Sequence, residues 1–140
     1  MALFDSQWMN AWQDTVNSDI VMSRIGRYFT TDFLLGIGDD EWVVSMREGQ
    51  IERITNNLSI ETPWSFALRA PRESWENFVQ RIPPPMYNDI WAMAHPLHGR
   101  LRMDGDVKVL WQNIRALTWM LADMRQVSDR EVIEQRATRV

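Results

Sequence analysis

The sequence predicts an α+β domain: one largely antiparallel sheet covered on one face by helices. Three observations carry this reading. Apolar residues recur at helical spacing towards both ends of the 140-residue chain. Between residues 33 and 68 the period changes to two. The alternating stretches pair an apolar face with a polar or small one, the pattern of a sheet wet on one side and covered by helices on the other.

Residues 5–17 read as the first helix, with Ser6 as N-cap and Trp8, Trp12 and Val16 at four-residue steps. A second helical stretch runs from about Asp19, a candidate cap, to Phe29. Phe33, Leu35 and Ile37 alternate along a first strand. Gly38-Asp39-Asp40 turns the chain, and Trp42, Val44 and Met46 share one face of a second strand. Glu48-Gly49 is a hairpin turn into a third strand, Ile51 to about Thr55, and Asn56-Asn57 is a break. After Pro63, Trp64, Phe66 and Leu68 alternate against Ser65, Ala67 and Arg69. Residues 71–82 return to helical spacing, with Pro71 in the first turn, Trp75, Phe78, Val79 and Ile82 on the apolar face, and Pro83-Pro84-Pro85 as terminator. Tyr87 to Met93 reads as a short helix carrying Ile90 and Trp91, stopped by Pro96.

The segment from His98 to Arg125 is the most informative. It reads as a strand, Arg100–Met103, a tight turn at Asp104-Gly105-Asp106, and one long helix with Asp106 as N-cap. Val107, Leu110, Trp111, Ile114, Leu117, Leu121 and Met124 form its stripe, and Val109, Trp119 and Met120 add apolar bulk outside the stripe's centre. A helix this apolar needs a second thing to bury against: more core, a partner chain or an apolar ligand. The whole reads as one domain over 1–140, with its core at about 19–125, an N-terminal helix in 1–18 and a charged tail in 126–140.

A net charge of -4 argues against nucleic acid, which wants a basic face, and no polybasic run addresses anionic lipid. No apolar run approaches the ~20 residues of a membrane span, so stable membrane insertion is not expected. The N-terminus lacks a signal-peptide pattern, and a cytoplasmic location is expected. There is no cysteine, hence no thiolate chemistry. The excess lies in eight Trp and nine Met: large amphipathic rings and adaptable thioethers that fill a core or line a cavity equally well.

Catalytic chemistry is sparse. His95 and His98 have metal-ligand spacing, but Pro96 forbids a regular helix and a third ligand is hard to find, so no metal is expected. Asp104 and Asp106 are read as turn and cap residues, and Asp39-Asp40-Glu41 as a solvated hairpin tip. Gly36 and Gly38 lead into a strand and form no nucleotide cradle, so no cofactor is expected. Abundant apolar material without a catalytic group describes a hydrophobic binding module.

In the order of its parts the chain resembles the sterol carrier protein type-2 domain family. The resemblance rests on residues 33–54 (FLLGIGDDEWVVSMREGQIERI), 65–79 (SFALRAPRESWENFV) and 98–117 (HGRLRMDGDVKVLWQNIRAL), within roughly 29–125. It implies a five-stranded sheet with helices over one face, an apolar tunnel between them, and a non-catalytic domain that binds sterols, fatty acyl groups or other lipids. Two features depart from the family pattern. Arg81-Ile82-Pro83-Pro84-Pro85-Met86-Tyr87 replaces a small-residue connection, and the chain ends Thr138-Arg139-Val140 without a peroxisomal signal.

Strand parity and helix period select the inward-facing, ligand-lining set: Phe33, Leu35, Trp42, Val44, Met46, Phe66 and Met103 from strands, and Trp75, Phe78, Trp91, Trp111, Ile114, Leu117 and Met120 from helices. Trp119 is placed off that face. Two other readings stand beside a carrier of a sterol, fatty acyl or terpenoid ligand. One is an interaction module that homodimerises through Trp8, Trp12 or Trp119. The other is a small cofactor-free enzyme on an apolar substrate, with Asp32, Asp104, Tyr87, His95 and His98 as its actors.

Overall fold

The computed structural model describes residues 2–95 and 99–129. The elements follow in the order α1 (Ser6–Asn17), α2 (Ile20–Ile25), β1 (Thr31–Ile37), β2 (Asp40–Arg47), β3 (Gln50–Thr55), β4 (Phe66–Ala70), α3 (Arg72–Phe78), α4 (Ile90–Met93), β5 (Arg102–Gly105), α5 (Val107–Gln112) and α6 (Ile114–Ala122). The strands form one five-stranded sheet in the order β3-β2-β1-β4-β5. Three pairs are antiparallel, and β1–β4 is parallel because β4 enters on the free side of β1 after the β1–β2–β3 meander.

The register puts the alternating apolar residues on one face. Phe33 pairs with Val44 and Phe66, Leu35 with Trp42 and Leu68, and Leu68 with Met103. Against this face pack Trp8, Met9, Trp12 and Val16 of α1, Met22 of α2, Trp75 and Phe78 of α3, Ile90 and Met93 of α4, Leu110 of α5, and Leu117, Met120 and Leu121 of α6. The opposite face is less wet than its sequence reads: Leu34, Val43 and Ala67 are all buried there.

The tie between α2 and the sheet is a close backbone contact. Gly49 closes the β2–β3 hairpin with φ 82° and donates to Phe29 O at 3.1 Å. A Cβ at Gly49 would lie 2.7 Å from Gly26 O, so only glycine lets the turn meet the end of α2.

Several boundaries differ from the sequence reading. Asp5, rather than Ser6, caps α1, accepting from Trp8 N at 2.8 Å. Asp19 caps α2 as expected, but that helix stops at Ile25 before Gly26. Helix α3 ends at Phe78, ahead of the prolines, where Arg125 Nε donates to Phe78 O at 2.8 Å and satisfies an end carbonyl. Asp104 and Gly105 belong to β5, opposite Ala67 and Phe66, rather than to a free turn. Asp106 caps α5, accepting from Val109 N.

The largest correction concerns the long helix. It breaks at Asn113 (φ −116°, ψ 18°), whose side chain donates to Val109 O at 2.9 Å while its carbonyl accepts from Leu117 N. A side-chain amide bonded four residues back competes with the regular ladder and re-aims the second half. After a turn at Asp123, residues 124–129 are again helical. Most of the expected tail, 130–140, lies outside the described residues, but Val127 is buried.

The candidate site between sheet and helices

Of the strand residues expected to face inward, Phe33, Leu35, Trp42, Val44, Met46 and Phe66 are buried, and Met103 is half-buried against them. The Phe33 and Phe66 rings stack at 5.2 Å across the parallel β1–β4 pair. From the helices, Trp75, Phe78, Leu117 and Met120 are buried and Ile114 is half-buried. Two of the set are placed elsewhere. Trp91 is 67% exposed and Trp111 is 40% exposed, and their rings meet edge to face at 4.9 Å on the outside of α4 and α5. On α5, Leu110 is the buried residue and Trp111, the next along the helix, lies outward.

The alternative reading offered Trp8 and Trp12 as possible dimer contacts, and their burial within the chain rules out that use of these two. Both are fully buried, and Trp12 Nε1 donates to Met120 O at 2.8 Å. Their stripe at four-residue steps signals burial of either kind, against core or against partner. The interior also takes in Met9, Met22, Phe29, Ile51, Met93, Leu110 and Met124, which sequence reasoning left out of the site.

The polar atoms of this interior are unevenly satisfied. Trp12 and Trp75 donate to the carbonyls of Met120 and Gly36. The indole N–H groups of Trp8 and Trp42 are buried without an acceptor. A buried donor without an acceptor costs about 1–3 kcal/mol, so these are two places where a polar atom would be held.

Trp119 is 43% exposed, off the inward face as the sequence places it, and lies between two surface cavities of about 530 and about 300 Å³. Its indole donates to Asp19 Oδ2 at 2.8 Å. Asp19 faces Asp123, which is 3% exposed. Burial first, then the hydrogen bond to Asp19 and the Asp19 charge, push the Asp123 carboxyl up to about 8. Burial also works against the charged form of Asp19, but hydrogen bonds from Asp123, Trp119, Met22 N and Val21 N outweigh it and hold that carboxyl below its ordinary value. The Asp123 Oδ2 atom lacks a partner as long as both groups are ionised, because carboxylates only accept; one proton on Asp123 turns it into a donor to Asp19.

Asp104 is taken up by Arg102 at 2.6 Å and Arg69 at 3.3 Å. Tyr87 lies half-buried under the Arg100 guanidinium, His95 is exposed, and His98 lies outside the described residues. Asp32 is half-buried at the start of β1. Among the described residues no group of three or more His, Asp or Glu could hold a metal ion.

No family model and no curated protein matches the chain. Solved structures do. Sterol carrier protein 2 superposes on 89% of this chain and 98% of its own, with a TM-score of 0.68 at 16% identity. The fold is that of sterol carrier protein 2. A conserved hypothetical protein from Thermus thermophilus shares it, with a TM-score of 0.67 at 17% identity over 91% of this chain and 90% of its own. So does the ubiquinone synthesis protein UbiJ-SCP2, with a TM-score of 0.56 at 11% identity over 91% and 97%. In the sterol carrier protein 2 fold of this chain, the sheet's inner face and the helices over it enclose the apolar interior described above.

Proposed function

We propose that this chain is a non-catalytic, cytoplasmic carrier domain for a hydrophobic small molecule, held between the sheet and the helices. The ligand class is a sterol, fatty acyl, terpenoid or similar molecule bearing one acceptor oxygen. The observation that carries the reading is the pair of buried, acceptor-less indoles of Trp8 and Trp42 inside an otherwise apolar interior. A hydroxyl, ester or carbonyl oxygen on the ligand supplies an acceptor to one of the two. Room comes from the methionines: Met22, Met46, Met93 and Met120 are buried there, and unbranched thioethers repack with little penalty. The fold shared with sterol carrier protein 2 supports the same reading.

Native mass spectrometry after incubation with cholesterol, palmitate and a matched hydrocarbon tests it. A one-to-one complex with the oxygenated ligands, weaker with the hydrocarbon, is the expected result. Trp42→Phe should narrow the difference between the two. Failure of every probe to bind, together with nothing extracted from purified protein, defeats the proposal.

A further inference from the structure

Helix α3 is fixed to the sheet, because the Trp75 indole donates to Gly36 O at 2.9 Å. From Val79 to Asp89 the chain then runs without helix or strand, until α4 begins at Ile90. The two ends of this loop return to one side chain. Arg125 Nε donates to Phe78 O at 2.8 Å, and Arg125 Nη2 donates to Asn88 O at 2.6 Å. The guanidinium also lies 4.5 Å from the centre of the Phe78 ring. Arg125 forms no ion pair among the described residues, and its hydrogen bonds to them all go to carbonyls at the ends of this loop. A surface loop with its ends drawn together is a compact unit, and such units often serve a function.

Little else holds the loop. Among the described residues its other hydrogen bonds are local: Val79 N to Trp75 O, Gln80 to Asn77, Tyr87 N to Pro84 O, and the Asp89 cap on α4. Inward it offers Val79, which is buried, and Tyr87, half-buried against the core. Outward it offers Arg81 and Ile82, the latter 83% exposed. Pro83, Pro84 and Pro85 have a fixed φ and no N–H to give, so the loop is stiff without being tied to a neighbour. Met86 is held at φ 77°, a conformation that side chains disfavour. Strain of this kind collects at clamps and switches.

We infer that residues 79–93, the loop with α4 behind it, are a flap over the interior, and that Arg125 is its latch. The inference rests on the carrier reading for what passes beneath the flap. Trp8 and Trp42 are closed off from solvent, at 0% and 6% exposure, so a ligand reaches or leaves them only when part of the cover moves. Helix α1 is bonded to α6 through Trp12 and to β3 through Asn17, and the end of α2 is locked against Gly49. The flap is held across the fold by one guanidinium. Helix α4 carries Ile90 and Met93 into the interior, so releasing Asn88 O frees the far end of the loop and lifts these two side chains with it. Arg125 is a positioning residue: it sets how fast the interior takes up and gives out its contents, rather than how tightly it holds them.

Two measurements on the full chain test the latch: amide hydrogen exchange without ligand, and stopped-flow binding and displacement of cis-parinarate, a fluorescent fatty acid. Arg125→Met keeps an apolar stem and removes the donors. It should speed hydrogen exchange about tenfold at Tyr87, Met93 and Ala94, and leave Ser65, bonded to Asp32 O in the sheet, as in the parent. Association and dissociation of cis-parinarate should both quicken about tenfold, with Kd nearly unchanged. Arg125→Lys, whose ammonium cannot fork to two carbonyls as a guanidinium does, should fall between parent and Arg125→Met, and keeps the test decisive if the methionine variant does not fold. Arg115→Gln, altered at an arginine that lines the cavity beside Trp119, should behave as the parent. Unchanged hydrogen exchange in the flap, or protection lost across the sheet as well, overturns the latch. Probe rates that stay at the parent's values while the flap amides exchange faster defeat the flap as the way in. A parent that binds no probe defeats the carrier reading and not the latch, which hydrogen exchange decides by itself.

Discussion

The Trp12 indole donates a 2.8 Å hydrogen bond to the Met120 carbonyl, tying the first helix to the last across 108 residues. Both side chains are fully buried, so the bond is made away from water. Trp12→Phe removes the donor and shrinks the ring. The expected loss is about 2–3 kcal/mol, combining the unmet carbonyl and the cavity. It is read as a lowered urea midpoint at unchanged slope.

Asp123 makes stability depend on pH in a direction opposite to most carboxylates. The native state keeps a proton up to about pH 8, whereas the unfolded chain releases it near the ordinary 3.8. Between these values the unfolded state binds fewer protons, so stability falls as pH rises through the window and levels off above it. Asp19, held low, acts in the other sense and matters only as pH falls below its ordinary value. Asp123→Asn keeps a donor towards Asp19 without a titrating proton. Urea midpoints from about pH 5 to about pH 9 should decline for the parent and stay nearly level for the variant.

Gly105 ends β5 with φ 81°, and a Cβ there would lie 2.6 Å from Ser65 O. Gly105→Ala therefore combines a backbone conformation that disfavours side chains with a clash against main chain. A loss above about 1–2 kcal/mol is expected, together with fraying of the β4–β5 edge. Thermal unfolding reads the first and hydrogen exchange at Asp106 N, which donates to Ser65 O at 2.8 Å, reads the second.

Leu117 is fully buried on α6 against the sheet. Leu117→Ala should cost about 2–5 kcal/mol in the ligand-free protein, because a packed interior collapses only partly into the gap. If the interior accepts apolar ligands, palmitate should raise the variant's melting temperature more than the parent's. An equal shift, or none, would mean that the ligand does not reach this wall.

The strand half of the candidate site was legible in the sequence. Phe33, Leu35, Trp42, Val44, Met46 and Phe66 share a face because a period of two can be satisfied in only one way once one side is buried. The helix half was less so. Trp111 lies one residue past the inward-facing Leu110 of α5, and the long helix ends at Asn113, a break that the apolar pattern does not encode. The sequence also carried α3 on to the prolines, whereas it ends at Phe78, whose carbonyl accepts from Arg125, 47 residues away.

By itself, then, the sequence determined the alternation of strands, the caps at Asp19 and Asp106, and the fold class, all set by neighbours a few residues apart. The tertiary structure decided the parallel β1–β4 pairing, the inward turn of Trp8 and Trp12, and the outward turn of Trp91 and Trp111. An amphipathic stripe states only that a surface must be covered. What covers it depends on contacts between residues far apart in the chain, such as Trp12 with Met120, which exist only once the helices lie on the sheet.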